Sequence, residues 1–533
     1  MIESNILLVM LLFFFMAMLF VLSQRIKISY PILLVIGGLL ISLIPGLPEF
    51  SINPDIVFLV FLPPLLFEAA WYTSWNSFWK NRRSIMIMGF GLVFLTSLVV
   101  AYISVSLIPG FTLALGFLLG GIISPPDAVA ATSVLKGVNI PRRGITLLEG
   151  ESLVNDAASL TVFRMALAVI MTGTFTMGEA VVGFFTLAIM GVFVGLIIGH
   201  ILYIFLKHVA KASSITTPIT IIAPYIMYTV AEHFEWSGVL AVVSGGLFLS
   251  FRSKDYMDYH TRIQTREVWE TIGFLLNGFV FILIGLELPI IIKGIESVSM
   301  EWAIEIALMI TGAIILVRIL FMFLATYLPR MLFPPIRRKE ARPSWKLSLI
   351  LGWAGMRGVV SLASALAIPL YLSKGHAFPH RNLILFITFI VILITLVLQG
   401  LTLPWLIKGI KLDGKSEELP DDAQIEAIRY KLVKDEIHLL KTKYAKELEE
   451  SNTVKAINLQ LKRALESSAT TLSSEAKIKI ANEKDLYKRV MQDLIDVRRK
   501  SVYDMMNEKI YDEKVLRSLE HNLDLEESRL NKR

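Results

Sequence analysis

Ionisable and polar side chains recur at helical spacing in the apolar stretch LLEGESLVNDAASLTVFRMAL, residues 147–167. Glu151 and Asn155 are four apart, as are Ser152 and Asp156, so on a helix they form adjoining stripes on one face. The oxygens of Asp156 can bind either a proton or a hard cation, while Asn155 and Ser152 can add neutral oxygens or hydrogen bonds. A second acid, Asp127, stands in LGGIISPPDAVAATSVLK, directly after Pro125 and Pro126, which remove two amide donors. In LGWAGMRGVVSLASALAIP, three glycines, Gly352, Gly355 and Gly358, surround Arg357, a permanent cation that needs an anionic partner wherever it is buried. Glu151 is close enough in depth to be that partner.

The elements that position these residues belong in lipid. Of 533 residues, 55% are hydrophobic and 18% charged, and the mean hydropathy is +0.63, too apolar for an ordinary soluble chain. Apolar runs of roughly 20 residues, enough for about 30 Å of hydrocarbon, follow one another from residue 4 to about 410. We place thirteen spans at 4–23, 29–46, 54–73, 84–108, 112–136, 144–172, 178–206, 214–232, 237–251, 267–292, 300–328, 345–372 and 382–407. Alternate connections are basic. They carry Arg25 and Lys27; Lys80, Arg82 and Arg83; Lys136, Arg142 and Arg143; Lys207 and Lys211; Arg252, Lys254, Arg262 and Arg266; and the cluster from Arg330 to Lys346. The intervening ones are poor in basic residues, with Lys293, Lys374 and Arg381 as exceptions. Basic loops stay cytoplasmic, so the N-terminus is expected outside and the tail in the cytoplasm. The first stretch begins MIESN and carries its basic residues behind it, which reads as a retained span and not as a cleaved leader. Cysteine is absent, which excludes disulfides and thiolate metal sites.

Charges within spans are costly and mark function by default. The prolines of the fifth span and the glycines of the twelfth each predict a broken helix lining a cavity. Seven positions separate these two spans, as expected of six-span repeats of opposite orientation joined by a linker span, with an ion site where the broken helices meet. Arg164, Glu267, Glu270, Asn277 and Glu287, in or near spans, read as packing or interface residues. From about Pro420 the chain becomes polar and helical, giving domains of 1–410 and 411–533. Ile425, Ile428, Leu432, Ile437, Leu440, Tyr444 and Leu448 approximate one apolar stripe, and Leu486, Val490, Leu494 and Val497 begin another. Breaks are expected at Ser451–Thr453 and around Ser467–Ser474.

The ordered set PPDAVA, GESLVNDA and GMRGVV resembles the sodium/proton exchangers of the monovalent cation:proton antiporter family, as does the earlier FLPPLLFEAAW. The resemblance covers residues 1 to about 410. It implies an all-α polytopic fold with inverted repeats and two broken crossing helices, and a protein that is a transporter and not an enzyme. It implies Asp156 as the group that binds cation or proton, Asn155 as its support, Ser152 and Glu68 near the ion, Asp127 as the acid of the broken fifth span, and Glu151 with Arg357 as a stabilising pair. Where relatives often read Thr-Asp-Pro, this chain reads Pro126-Asp127-Ala128. The Asn-Asp arrangement implies electroneutral exchange, one cation per proton. Sodium, with lithium as a further cation, and the proton are the expected substrates, with the plasma membrane bilayer and a second copy of the chain as partners, no cofactor and no nucleic acid. Potassium/proton exchange is the main rival. An intramembrane aspartyl protease using Asp127 and Asp156 lacks its Gly-x-Gly-Asp signature, and a membrane-anchored sensor would leave the buried charges without purpose.

Overall fold

The computed structural model describes residues 2–26, 28–44, 57–135, 140–173, 177–209, 213–295, 299–334, 344–372, 376–410, 421–470 and 489–502, together with 504, 505, 516, 519, 523–527 and 530. Several expected features lie outside the described residues: the start of the third span at 54–56, Lys27, Lys136, Lys211, Lys374, the cluster Arg337 to Arg342, the domain boundary near Pro420, Leu486, and the tail break beyond residue 470.

The chain divides into two compact units, Met1–Leu412 and Asp413–Arg533. In the first, the helices are α1 (Ile2–Ile26), α2 (Tyr30–Ser42), α3 (Leu62–Tyr72), α4 (Trp75–Met86), α5 (Leu92–Leu107), α6 (Leu113–Ile123), α7 (Ala128–Leu135), α8 (Arg142–Thr172) and α9 (Met177–His208). They continue with α10 (Ser213–His233), α11 (Gly238–Tyr256), α12 (Tyr259–Lys293), α13 (Met300–Leu332), α14 (Trp345–Trp353), α15 (Val359–Leu366), α16 (Arg381–Ile394) and α17 (Gly400–Ile410). Turns of π-helix lead into α3, join α4 to α5 and join α16 to α17.

Among the described residues, eight helices are long and apolar enough to cross a membrane, and three shorter apolar ones accompany them. The expected ninth span is α11, and the expected twelfth is the pair α14 and α15. The protein is an all-α polytopic membrane protein.

Burial separates the inner helices from the outer ones. About two thirds of the apolar window is buried in both Leu113–Leu135 and Arg142–Thr172, against 17% in Val181–His208. Helix α8 is enclosed nearly all round, with Glu151, Leu153 to Phe163 and Ala166 buried, so its polar residues face protein. Helix α6 begins at Thr112, whose Oγ1 accepts from the Leu115 N–H at 3.2 Å, and stops where Pro125 and Pro126 can no longer donate.

In the second unit, α18 (Asp421–Lys443), α19 (Ala445–Glu450) and α20 (Asn452–Thr470) precede a helical segment at 489–502. The expected stripes are only partly the buried ones. Val433 and Ile437 are buried on α18 while Ile428, Leu432 and Tyr444 are exposed, and Ile495 is buried while Val490, Leu494 and Val497 are exposed. One residue along a helix turns the buried face by about 100°, so a short apolar stripe read from sequence can fall on the neighbouring face. Beside Ile495, Arg498 meets Glu526 at 2.9 Å and Arg499 meets both Asp524 and Glu527 at 2.7 Å.

Candidate functional site

Both broken spans are interrupted where expected. Ser124–Asp127 separates α6 from α7, and Ala354–Gly358 separates α14 from α15. The two breaks cross, since the Asp127 N–H donates to the Met356 carbonyl at 2.7 Å.

A helix ends with unpaired carbonyls and begins with unpaired N–H groups, so four half-helix ends leave partial charges inside the membrane. Two side chains answer them. The Asp127 carboxylate accepts from Val129 N at 2.8 Å and Ala130 N at 3.3 Å, which caps α7, and it also accepts from Val359 N at the start of α15. Arg357 donates from Nε to the Ile123 carbonyl at 2.9 Å, from Nη2 to the Ser124 carbonyl at 3.4 Å, and from Nη1 to the Gly355 carbonyl. It thereby joins the end of α6 to the segment that follows α14. Its own N–H donates to Thr395 Oγ1 at 3.2 Å. The glycines here make room: a β-carbon on Gly358 would run into the Asp127 carboxylate, and one on Gly355 would run into Arg318 and Arg357.

The expected pairing of Glu151 with Arg357 is corrected. Glu151 takes a bidentate contact from Arg318 on α13, Nη1 to Oε1 at 2.6 Å and Nη2 to Oε2 at 3.1 Å. Arg318 is 0% exposed and Glu151 1%. Arg318 also donates to the carbonyls of Leu351 and Ala354, at 3.3 and 3.4 Å, closing the end of α14. Arg357 is occupied by backbone carbonyls instead. Arg318, a lone arginine inside the expected span 300–328, is the residue that sequence reading missed. An intramembrane charge was signal enough to find it.

A cavity of about 60 Å³ opens beside the crossing. Asp156 and Ser152 of α8, Asp127, Asn277 of α12 and Ser361 of α15 are its polar lining residues, and Leu62, Leu65, Leu66 and Ala69 of α3 form its apolar wall. Ser152 Oγ accepts from the Ala128 N–H at 3.4 Å, and Asn155 Nδ2 donates to the Pro126 carbonyl at 3.5 Å, so the polar face of α8 rests on the first break. The Asn155 Oδ1 is buried without a partner.

Asp156 differs from the other buried acids. Asp127 has three N–H donors and Glu151 a guanidinium, whereas the Asp156 carboxylate has no hydrogen-bond or ion-pair partner among the described residues. An ionised carboxylate in that position is costly until a proton or a cation joins it. Glu68, expected near the ion, does not line this cavity although its neighbours on α3 do. Its carboxylate packs against Gly273 on α12, because α3 turns that face toward α12. Asn277, expected to be a packing residue, does line it.

Crossed broken helices in an all-helical membrane protein, with one unpartnered carboxylate at the crossing, define a secondary ion transporter. A sequence model described as "Sodium/hydrogen exchanger, transmembrane" matches residues 9–409, and the chain belongs to that family of cation/proton antiporters. An Na(+)/H(+) exchanger of Mycobacterium tuberculosis, itself described as uncharacterized, is 29% identical over 96% of this chain and 93% of its own. A sodium, potassium, lithium and rubidium/H(+) antiporter of Bacillus subtilis is 33% identical over 71% of this chain and 57% of its own. The fold matches the sodium proton antiporter MjNhaP1 of Methanocaldococcus jannaschii with a TM-score of 0.59 at 21% identity, covering 75% of this chain and 99% of that one.

Proposed function

We propose that the protein exchanges sodium, and lithium, for protons by alternating access at Asp156, with one cation moved per proton. The observation that carries this reading is the unpartnered Asp156 carboxylate on the wall of a cavity at the helix crossing. Its oxygens hold a proton or a cation but not both, and that competition couples the two flows. Ser152 and Asn155 support it from the same helix face. Asp127 and Arg357 neutralise the half-helix ends, and Glu151 with Arg318 ties α8 to α13.

The reading includes thirteen spans, a plasma-membrane location, an external N-terminus and a cytoplasmic helical tail beyond residue 410, supported by the alternation of basic loops. It also includes a homodimer. That expectation comes from the family resemblance alone. Potassium exchange is a second reading, favoured by the wide cation range in the name of the Bacillus subtilis relative.

The test is reconstitution into liposomes with an internal pH reporter and sodium, lithium or potassium added in turn. Sodium-driven proton flux is expected in the native protein, and none in Asp156→Asn, which should remain folded. Substantial flux in that variant would remove Asp156 from its assigned role.

A further inference from the structure

Helical hydroxyls in this protein usually bond back to a carbonyl three or four residues earlier: Thr132 to Ala128, Ser159 to Asp156, Thr161 to Ala157 and Thr395 to Val391, all between 2.7 and 2.9 Å. Ser361 does not. It is 1% exposed, and its Oγ has no hydrogen-bond partner. The cause is local. Ser361 is the third residue of α15, so three residues before it stands the N-cap Gly358, whose carbonyl accepts from the Leu362 N–H at 3.3 Å, and four before it Arg357, which lies in the break. A buried hydroxyl without a partner is costly, which calls for something that satisfies it in part of the working cycle.

Other buried hydroxyls lack partners too, among them Thr96, Ser97 and Ser104 of α5 and Thr388 of α16. None of those lines the cavity at the crossing, whereas Ser361 does, in the same wall set as Asp156 and Ser152. A sodium or lithium ion takes hard oxygen ligands, and one carboxylate cannot complete its shell. At about 60 Å³ the cavity has room for such an ion with little of its own water.

We propose that Ser361 is a ligand of the transported cation, giving a neutral hydroxyl oxygen from the second broken helix opposite the charge of Asp156. The proposal rests on the exchange reading and extends it, because it makes the ion bridge α8 and α15. A proton on Asp156 makes no such bridge. Ser361 therefore contributes to cation affinity and to the choice among cations, and little to proton binding.

The experiment uses the full chain reconstituted in liposomes, comparing native protein, Ser361→Ala, Ser361→Thr and Asp156→Asn. Half-saturating sodium and lithium, maximal rate, and thermal stability in detergent with and without sodium are measured. Ser361→Ala is expected to raise half-saturating sodium about tenfold, as for the loss of one good polar contact, to change the ratio of sodium to lithium affinity, and to reduce stabilisation by added sodium. Its stability without sodium should not fall, because the hydroxyl has no protein partner to lose. Ser361→Thr keeps the oxygen and should bind sodium within about twofold of the native protein. Unchanged half-saturation in Ser361→Ala overturns the proposal, as does an equal rise in the alanine and threonine variants, which would report packing. If Asp156→Asn abolishes exchange in those cases, the exchange reading survives the loss of Ser361. If Asp156→Asn still exchanges, the exchange reading fails and this proposal fails with it.

Discussion

Removing one partner of the Glu151–Arg318 pair should destabilise the membrane unit more than any other single charge deletion in α8 or α13. The two residues are at most 1% exposed, and the contact is a two-pronged fork at 2.6 and 3.1 Å. Taking one partner from such a pair costs about 3–5 kcal/mol, because the other charge stays buried without a match. The two deletions are unequal. Arg318→Leu strands Glu151 and also frees the Leu351 and Ala354 carbonyls at the end of α14, so it belongs at the upper end. Glu151→Gln leaves the arginine those carbonyls and keeps one acceptor oxygen, so it belongs at the lower end. In the double variant Glu151→Gln with Arg318→Leu no charge is stranded, and part of the loss returns as a coupling energy of about 1–3 kcal/mol. Denaturant titration of the purified protein in detergent, run as a double-mutant cycle, gives this number. A second cycle, Glu151→Gln with Arg357→Lys, serves as control and should show clearly weaker coupling than the first, since Arg357 donates to carbonyls and makes no direct contact with Glu151 among those the structure gives. Additive losses in the first cycle with strong coupling in the second would refute the assignment and restore Arg357 as the partner.

Gly358→Ala should displace the Asp127 carboxylate and uncap α7 and α15 together. Overpacking of this kind costs about 1–3 kcal/mol, so the unfolding midpoint should fall and transport with it, and native-like values in both would show that the crossing tolerates a methyl group. One-for-one exchange predicts that a potassium-valinomycin potential leaves the sodium gradient at which proton movement stops unchanged. A two-for-one exchanger would shift it, at about 2.3 kcal/mol per elementary charge per 100 mV.

The interruptions and most of the site were legible because their signals are local. Paired prolines before an acid, glycines around an arginine, and polar residues four apart on an apolar helix each state a conflict with the membrane that only a few structures resolve. The partner of Glu151 was not legible in that way. Arg318 and Arg357 lie 167 and 206 positions further along the chain, both in apolar spans, and the choice between them is made by how α13 and α14 pack against α8. The facing of Glu68 is a matter of helix rotation. Moving one position along α3, from Glu68 to Ala69, changes the neighbour from Gly273 to the cavity. The tail stripes failed by the same small rotation.

The capping of the broken spans sets a mechanical limit. Asp127 fastens the starts of α7 and α15, and Arg357 holds the end of α6 to the segment behind α14. Four half-helices thus share two fastenings, each made from one span and closed on both. Tilting one half-helix alone would open a cap on another and expose bare backbone to hydrocarbon, at several kcal/mol per group. The crossing consequently has few internal degrees of freedom. A movement that presents the cavity first to one side of the membrane and then to the other has to carry this knot as a single piece, with its bending confined to joints beyond the two breaks.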